Sequence, residues 1–569
     1  MTDQGRQELH ETFSRYGAGH ITFHDHDDNT ADDASSNNGV RSLIKPFVIK
    51  QWLHRGKLYR EKKERVPSRF ELFFDLVFVA IAHNLSDVAA EHAGGPGLAQ
   101  FILTFFPTWG LWSEFRSFVN ASGTDDILQR AGILYMMALL IGYTANASAI
   151  SIAYPVESAG EAATTEGVTE AVSHVLAAVL GESGTTMKSG RDMAIVAATV
   201  FYLLGRALRI AFLLMYAVTL PRFRTALLFA SLHQIIGWLI YFPLLFVRSK
   251  TAVIVLASLG MAWDILARYL IGLNKVLGKQ RKLADAEKGA AMYQQNADPS
   301  TLTQEDTGPN VVVQTCHNAF DKERGDSMKG SVPALNIEHF LERTAAFVVI
   351  VLGEMVLSVV YHANASQIGF NKVYGNAICG LIIAFNYCWL YFDAECSRRF
   401  LHAIRRHWFS GLTFTTLHFP LCASLILVSA ALSRMTLNQD EISDALRWYF
   451  CGGLGTAMIC LGALGMTHRG LDPNGTTRLG RRVQLGMRTA VGIIMICLPL
   501  ADHHTLTPLK LAGICAALSS FLVIEETYGK LCRGEPISKP SASEEAAQKN
   551  QNEEFMEDEK LDEAKTKTD

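Results

Sequence analysis

Apolar residues are gathered into blocks that alternate with shorter polar segments along most of the chain. Twelve of these blocks hold about 20 residues or more, enough to cross about 30 Å of hydrocarbon as an α-helix. The pattern therefore predicts an all-α integral membrane protein of about twelve transmembrane helices, arranged as two six-helix halves. The predicted spans are residues 70–90, 98–119, 131–154, 193–220, 224–247, 251–274, 338–361, 373–396, 408–433, 444–467, 483–501 and 506–526.

A polar segment, residues 275–337, separates six spans from the other six. It is predicted to be a cytosolic linker between membrane half 1, residues 70–274, and membrane half 2, residues 338–526. With the N-terminus in the cytosol, the loops on the cytosolic side hold 20 Lys and Arg residues and the opposite loops hold 6. This bias follows the positive-inside rule, so both termini are predicted to be cytosolic.

The segments before the first span and after the last are polar. Residues 1–41 are predicted to be a disordered cytosolic tail, and residues 527–569 a charged cytosolic tail, because neither can bury enough apolar surface to fold. Residues 42–69 alternate apolar and basic side chains, which predicts an amphipathic juxtamembrane segment bound to anionic lipid headgroups. Nucleic-acid binding is not predicted, because the basic clusters lie next to membrane spans.

The first span carries four ionisable side chains where a lipid-facing helix tolerates few. Glu71, Asp75, His83 and Asp87 all lie within one half of the helix circumference. Carboxylates and an imidazole on one face can exchange protons, so this face is a candidate proton or cation pathway. The alternative is that Glu71 and Asp87 lie at the two water interfaces, with Asp75 and His83 as buried partners of arginine.

The seventh span supplies the second candidate for function. Glu354 lies deep in this span, directly after Gly353. A carboxylate at that depth needs a hydrogen-bonded partner or a role in transfer. Glu342 and Arg343 lie at the inner end of the same span, and we assign Glu342 to the pathway and Arg343 to the counter-ions.

Charged residues of other spans are candidate counter-ions. Arg206 and Arg209 lie too deep in the fourth span to reach water easily, which makes them the predicted partners of the carboxylates above. Asp264 and Arg268 are four residues apart in the sixth span, a spacing that predicts an intrahelical ion pair. Asp393 lies beside aromatic residues at the end of the eighth span and completes the structural or counter-ion set.

The first span also resembles the opening signature of a known family. Residues 69–87 read RFELFFDLVFVAIAHNLSD, similar to the helix reading ELFFDLVFV that opens the low temperature requirement A family. The resemblance extends from about residue 70 to about residue 525, although Met355 follows the glutamate where many members have serine. Further matches in chain order are the tryptophan-rich segment 109–130, LLGRALR at 203–209, ERTAAFVVIVLGEMVL at 342–357, WLYFD at 389–393 and LHFPL at 417–421.

The resemblance implies a multi-pass membrane protein and implies no particular reaction. Acids near the start of both halves favour a proton- or ion-coupled secondary transporter for an unidentified small solute or ion. A membrane-embedded lipid-modifying enzyme is an alternative, for which the local candidates are His503–His504 and the histidine of LHFPL. A membrane scaffold or sensor is a further alternative. Neither a cofactor nor a metal site is predicted.

Overall fold

The chain folds into a bundle of long helices beside a small sheet of short strands. The structure is a computed structural model that describes residues 21–24, 47–54, 57–61, 65–122, 126–150, 190–247, 249–296, 331–362, 371–395, 402–437, 443–468, 479–501 and 506–530. The described long helices are α1 (Arg69–Glu91), α2 (Gly95–Ser122), α3 (Ile127–Ala147), α4 (Gly190–Thr219), α5 (Arg224–Tyr241), α6 (Lys250–Asn296), α7 (Ile337–His362), α8 (Lys372–Glu395), α9 (Trp408–Leu437), α10 (Asp444–Thr467), α11 (Arg481–Cys497) and α12 (Pro508–Lys530).

These helices confirm a multi-pass integral membrane protein. Among the described residues, eleven helices are long and apolar enough to cross a membrane. Every predicted span begins within four residues of the start of one of the twelve long helices. Short 3-10 turns lie next to three of them, at Pro221–Phe223, Phe242–Leu245 and Leu498–Leu500. The arrangement as two six-helix halves and the cytosolic termini stay predictions.

Helix α2 is 28 residues long but is not among those eleven apolar helices. It runs opposite to α1, because Trp112 donates to Asp75 whereas Asn120, further along α2, accepts from Arg65 just before α1. It therefore covers much of the same depth of the bundle as α1. It packs against α1, α4, α6, α7 and α9, so many of its polar side chains face protein and a uniformly apolar surface is not required.

Helices α1 and α7 run side by side in the same direction. Near their starts Arg343 contacts Asp75, and further along both helices Glu354 contacts His83. Helix α9 packs on both of them. These contacts place the two acid-bearing helices that the sequence singled out against each other.

An aromatic layer lies between those two levels of the α1–α7 contact. Phe78 of α1 stacks on Trp112 of α2 with ring centroids 5.2 Å apart, and Trp112 lies 4.4 Å from Phe347 of α7. Trp109 lies 5.8 Å from the same Phe347 ring. All four side chains are buried. The layer fills the space between the two groups of ionisable side chains with apolar atoms.

The small sheet lies next to the bundle and joins distant parts of the chain. Its strands are β1 (Ile21–His24), β2 (Trp52–His54), β3 (Lys57–Glu61) and β4 (Val332–Pro333), in the order β1-β3-β2-β4. The pair β1–β3 is parallel, and the pairs β2–β3 and β2–β4 are antiparallel.

The sheet and the end of α6 are formed by segments that precede or separate the predicted spans. Strand β1 lies in the segment predicted as a disordered tail, β2 and β3 lie in the predicted amphipathic segment, and β4 and the last part of α6 lie in the predicted linker. Ile49 is buried, and Trp52 stacks on Tyr59 with centroids 5.4 Å apart and lies 6.1 Å from Phe223. Apolar residues before α1 therefore pack on protein, because a neighbouring strand and the bundle offer them a surface.

Candidate functional site

The α1–α7 contact holds two groups of ionisable side chains, and the group near the helix starts is a dense ion-pair network. Asp75 accepts hydrogen bonds from Arg343 Nε and Nη2 and from Trp112 Nε1, each at 2.8 Å. These three residues are 0–1% exposed. A bidentate guanidinium–carboxylate contact fixes both position and orientation. The α1–α7 network, as we name it, consists of Arg65, Glu71, Asp75, Trp112, His339 and Arg343.

Glu71 is the second carboxylate of the α1–α7 network. Its oxygens lie 3.1 Å from Arg343 Nη1, 3.1 Å from Arg65 Nη2 and 3.1 Å from His339 Nε2. On the other side of the imidazole, His339 Nδ1 lies 2.9 Å from Asn120 Nδ2. Because an amide NH2 can only donate, Nδ1 accepts and the hydrogen of a neutral ring is on Nε2, toward Glu71.

The α1–α7 network pairs two carboxylates with two arginines. Protonation of either carboxylate would leave arginine charge buried without its partner, which is strongly unfavourable. The prediction that Arg206 or Arg209 pairs with Asp75 is wrong. Arg343 takes that place because α7, and not α4, presents an arginine to the acidic face of α1.

The second group on the α1–α7 contact is the His83–Glu354 pair. His83 Nδ1 lies 3.3 Å from Glu354 Oε1, and the side chains are 22% and 16% exposed. Within the part of the chain that the structure describes, His83 Nδ1 makes no aligned hydrogen bond. Ser86 Oγ donates to the His83 carbonyl at 2.8 Å, and Ser429 Oγ donates to the Glu354 carbonyl at 3.2 Å. Among the described contacts, no arginine or lysine reaches either side chain, so one contact joins two proton-binding groups.

The other predicted pathway acids lie apart from both groups. Asp87 accepts from Arg434 of α9 at 3.2 Å and its side chain is partly exposed. Glu342 is exposed on α7, one residue before Arg343. Asp393 lies in α8, and its side chain is not among those that the structure describes.

The arginines of α4 pair with two acids around a cavity. Arg206 Nη2 donates to Asp264 Oδ1 at 2.6 Å, and Arg268 donates to Glu114 of α2. Arg209 Nε lies 4.0 Å from the same carboxylate. The predicted pair of Asp264 with Arg268 is therefore wrong, because each residue finds a partner on a neighbouring helix instead. We name this group, with its cavity, the arginine cavity.

Comparison with known proteins gives one match. A family model described as Bacterial low temperature requirement A protein (LtrA) matches residues 66–524. The chain belongs to the LtrA family. No curated protein and no solved structure matches it. The LtrA match begins just before α1 and ends within α12, so it includes the α1–α7 network from Glu71 onward, the His83–Glu354 pair and the arginine cavity.

Sequence reasoning missed several buried polar residues inside the LtrA match. Glu114 lies within a predicted span, so the argument that singled out Glu354 applies to it equally. Arg116 also lies within that predicted span, and it is buried in α2 with its guanidinium 4.3 Å above the Trp112 ring and 4.4 Å from that of Phe340. His339 is predicted by no pattern, because its role depends on the packing of α7 against α1 and α2.

A third ionic cluster joins α11 to α12 at the C-terminal end of the LtrA match. Glu526 of α12 accepts from Arg481 Nη1 at 2.9 Å and from Arg488 Nη2 at 2.8 Å, and all three residues are buried. Across the described residues, no group of three or more His, Cys, Asp or Glu is arranged to hold a metal ion. The pair His503–His504 lies outside the described residues.

Proposed function

We propose that this LtrA-family protein is a proton-coupled secondary transporter in which the His83–Glu354 pair holds the transferred proton. The observation that carries the proposal is the 3.3 Å separation of His83 Nδ1 and Glu354 Oε1 inside two membrane-spanning helices. A proton on the carboxylate oxygen can pass to the nitrogen lone pair across such a distance, directly or through one water molecule.

The α1–α7 network supports this assignment by contrast. Asp75 and Glu71 accept hydrogen bonds from fixed cationic donors, so proton binding there would oppose the strongest contacts of the bundle. Among the described contacts, no arginine or lysine depends on the His83–Glu354 pair, so protonation of the pair leaves no buried cation without a partner. A change of protonation at this pair therefore changes little else, as a repeated cycle requires.

The direction of α1 and α7 is also what a transporter built from two related halves would have. Two six-helix halves enter the membrane from the same side, so their first helices run in parallel, as α1 and α7 do. On this proposal the site lies between the halves, and both termini are cytosolic. The transported solute or ion is not specified by these residues.

The proposal is tested by proton flux in proteoliposomes. Purified full-length protein is reconstituted with a trapped pH-sensitive dye, and a pH step is applied across the membrane. We expect wild-type protein to increase the rate of internal pH change. Glu354→Gln and His83→Gln should each reduce that increase at least tenfold, because the amides keep the hydrogen bonding and bind no proton.

The matched control is Asp444→Asn. It removes another carboxylate, but that side chain is 71% exposed at the start of α10 and contacts Arg447 of the same helix. The control should conduct protons at the wild-type rate. Wild-type flux in both Glu354→Gln and His83→Gln would refute the proposal.

A further inference from the structure

The arginine cavity lies away from the His83–Glu354 pair, between α2, α4, α6 and α9. It encloses about 50 Å³. Its apolar walls come from aromatic rings, including Phe106 and Trp109 of α2 and Phe419 of α9. A cavity of this size can hold several water molecules or one small ion. The aromatic walls lower the local dielectric and strengthen the interaction of any ion with the charges that line it.

The charges that line the cavity do not cancel. Three arginines, Arg206, Arg209 and Arg268, face two carboxylates, Asp264 and Glu114. Asp264 is matched by Arg206, and Glu114 by Arg268. Arg209 is left as the excess cation, since its closest approach to an acid is the 4.0 Å contact with Glu114.

The excess cation also has hydrogen-bond donors that no acceptor among the described residues takes. Arg209 is 9% exposed, and its Nε and Nη1 are buried without a hydrogen-bond partner. Arg206 is 4% exposed, and its Nη1 is also buried without a hydrogen-bond partner among the described residues. Buried guanidinium donors without acceptors are strongly unfavourable unless a ligand satisfies them. Both arginines line the same cavity.

We propose that the arginine cavity binds a small monovalent anion, a halide or a short carboxylate, between Arg206 and Arg209. The anion neutralises the excess positive charge and accepts hydrogen bonds from the free guanidinium donors. The volume fits such an ion and excludes a large organic anion such as gluconate. The site does not depend on the proposed proton transfer, because it shares no residue with the His83–Glu354 pair.

The test measures thermal unfolding of the purified full-length protein against anion concentration. The protein is held in sodium gluconate at constant ionic strength, and gluconate is replaced stepwise by chloride, bromide or acetate. We expect the unfolding temperature to rise and to saturate with each small anion, because a ligand that binds only the folded state stabilises it. Arg209→Gln should raise the half-saturating concentration about tenfold or more, because it removes a charged donor.

Two further variants keep the test decisive if Arg209→Gln fails to fold. Gly110 lines the cavity, and a Cβ built there meets open space, so Gly110→Leu adds volume without removing any charge. It should weaken the response to anions by a similar factor. The matched control is Arg434→Gln, which removes a partly exposed arginine paired with Asp87 and should leave the half-saturating concentration unchanged.

Three outcomes would overturn the proposal. The first is an unfolding temperature that does not change when gluconate is replaced by small anions. The second is a wild-type response in both Arg209→Gln and Gly110→Leu. The third is stabilisation by added phosphatidylglycerol alone, in gluconate, with no effect of chloride, bromide or acetate, which would assign the free donors to a lipid phosphate.

Discussion

The two groups on the α1–α7 contact hold carboxylates in opposite ways. In the α1–α7 network, Asp75 accepts three hydrogen bonds at 2.8 Å and is fully buried. At the His83–Glu354 pair, the carboxylate has one ionic contact at 3.3 Å and is partly exposed. The two helices and their direction are the same, so the difference lies in what surrounds each acid.

The comparison separates a structural role of a membrane carboxylate from a role in transfer. An acid with a full set of cationic donors stabilises one arrangement of the helices and resists protonation. An acid beside a single imidazole can change its protonation with little effect on packing. Depth in the membrane alone, which singles out Asp75 and Glu354 alike, does not distinguish them.

The largest expected effect is that of Arg343→Met. The substitution removes two of the three donors to buried Asp75 and one of the three cationic or imidazole partners of buried Glu71, so we expect a loss of stability of about 3–5 kcal/mol. Thermal unfolding and size-exclusion chromatography in detergent measure this loss. Arg343→Lys should recover only part of the stability, because an ammonium cannot make the bidentate contact. Unchanged unfolding of Arg343→Met would show that the α1–α7 network does not hold the helices together.

Asp75→Asn should have the next largest effect. It keeps the shape of the side chain but removes the negative charge and replaces one acceptor oxygen by an NH2 group that faces a donor of Arg343 or Trp112. We therefore expect a loss of about 1.5–3 kcal/mol. Thermal unfolding of this variant is measured beside proton flux. A stable Asp75→Asn protein with no proton flux would contradict the structural role assigned to Asp75, because it would make Asp75 an acid that transfers the proton.

A histidine outside the membrane-spanning helices shows how titration affects stability. His468 follows α10, and its Nδ1 accepts from the Ala403 backbone N–H at 3.0 Å. Burial, together with the nearby Arg481, lowers the pKa of His468 to about 4 from the ordinary 6.5. Below pH 6.5 the unfolded chain therefore binds a proton that the folded protein does not. The free energy of unfolding decreases as the pH is lowered.

Integrated between pH 7 and pH 5, this difference lowers the free energy of unfolding by about 2 kcal/mol. Thermal unfolding across that pH range measures the loss. His468→Gln keeps an acceptor for the Ala403 N–H and removes the titration, so its unfolding should depend less on pH. Equal pH dependence in the two proteins would assign the effect to other groups.

The smallest expected effect on stability is that of Glu354→Gln. The contact with His83 is single and partly exposed, so its removal should change the free energy of unfolding by less than about 1 kcal/mol. The same variant is expected to lose proton flux. A double-mutant cycle with His83→Gln measures the coupling between the side chains, and a coupling as large as that of Asp75 with Arg343 would remove the distinction between the two groups.

The helices of this fold could be predicted from the sequence, because an apolar block of about 20 residues has few alternatives in a membrane. The acidic face of α1 could be predicted as well, since helical periodicity is local. The partner of Asp75 could not. Arg206, Arg209 and Arg343 are chemically equivalent candidates in the sequence, and only the packing of α7 on α1 selects Arg343.

The sheet and the arginine cavity show the same limit. Strands β2 and β4 have three and two residues, too few for a periodic pattern, and they are far apart in the sequence. The arginine cavity gathers charges from α2, α4 and α6, whose predicted spans, residues 98–119, 193–220 and 251–274, each hold two charged residues in an apolar background. Which charges meet depends on helix neighbours, which hydropathy does not specify.

The distance in sequence between Asp75 and Arg343 has a consequence for synthesis of the protein. The two residues are 268 positions apart. At the usual rate of translation, roughly 13–54 s pass between them. During that interval the five helices α2 to α6 are synthesised. Asp75 then has Trp112 as a hydrogen-bond donor, but no arginine of α7. Until Arg343 is synthesised, Asp75 therefore has one of its three hydrogen-bond donors, and the bidentate contact of the α1–α7 network forms only after α7 has followed the first six helices.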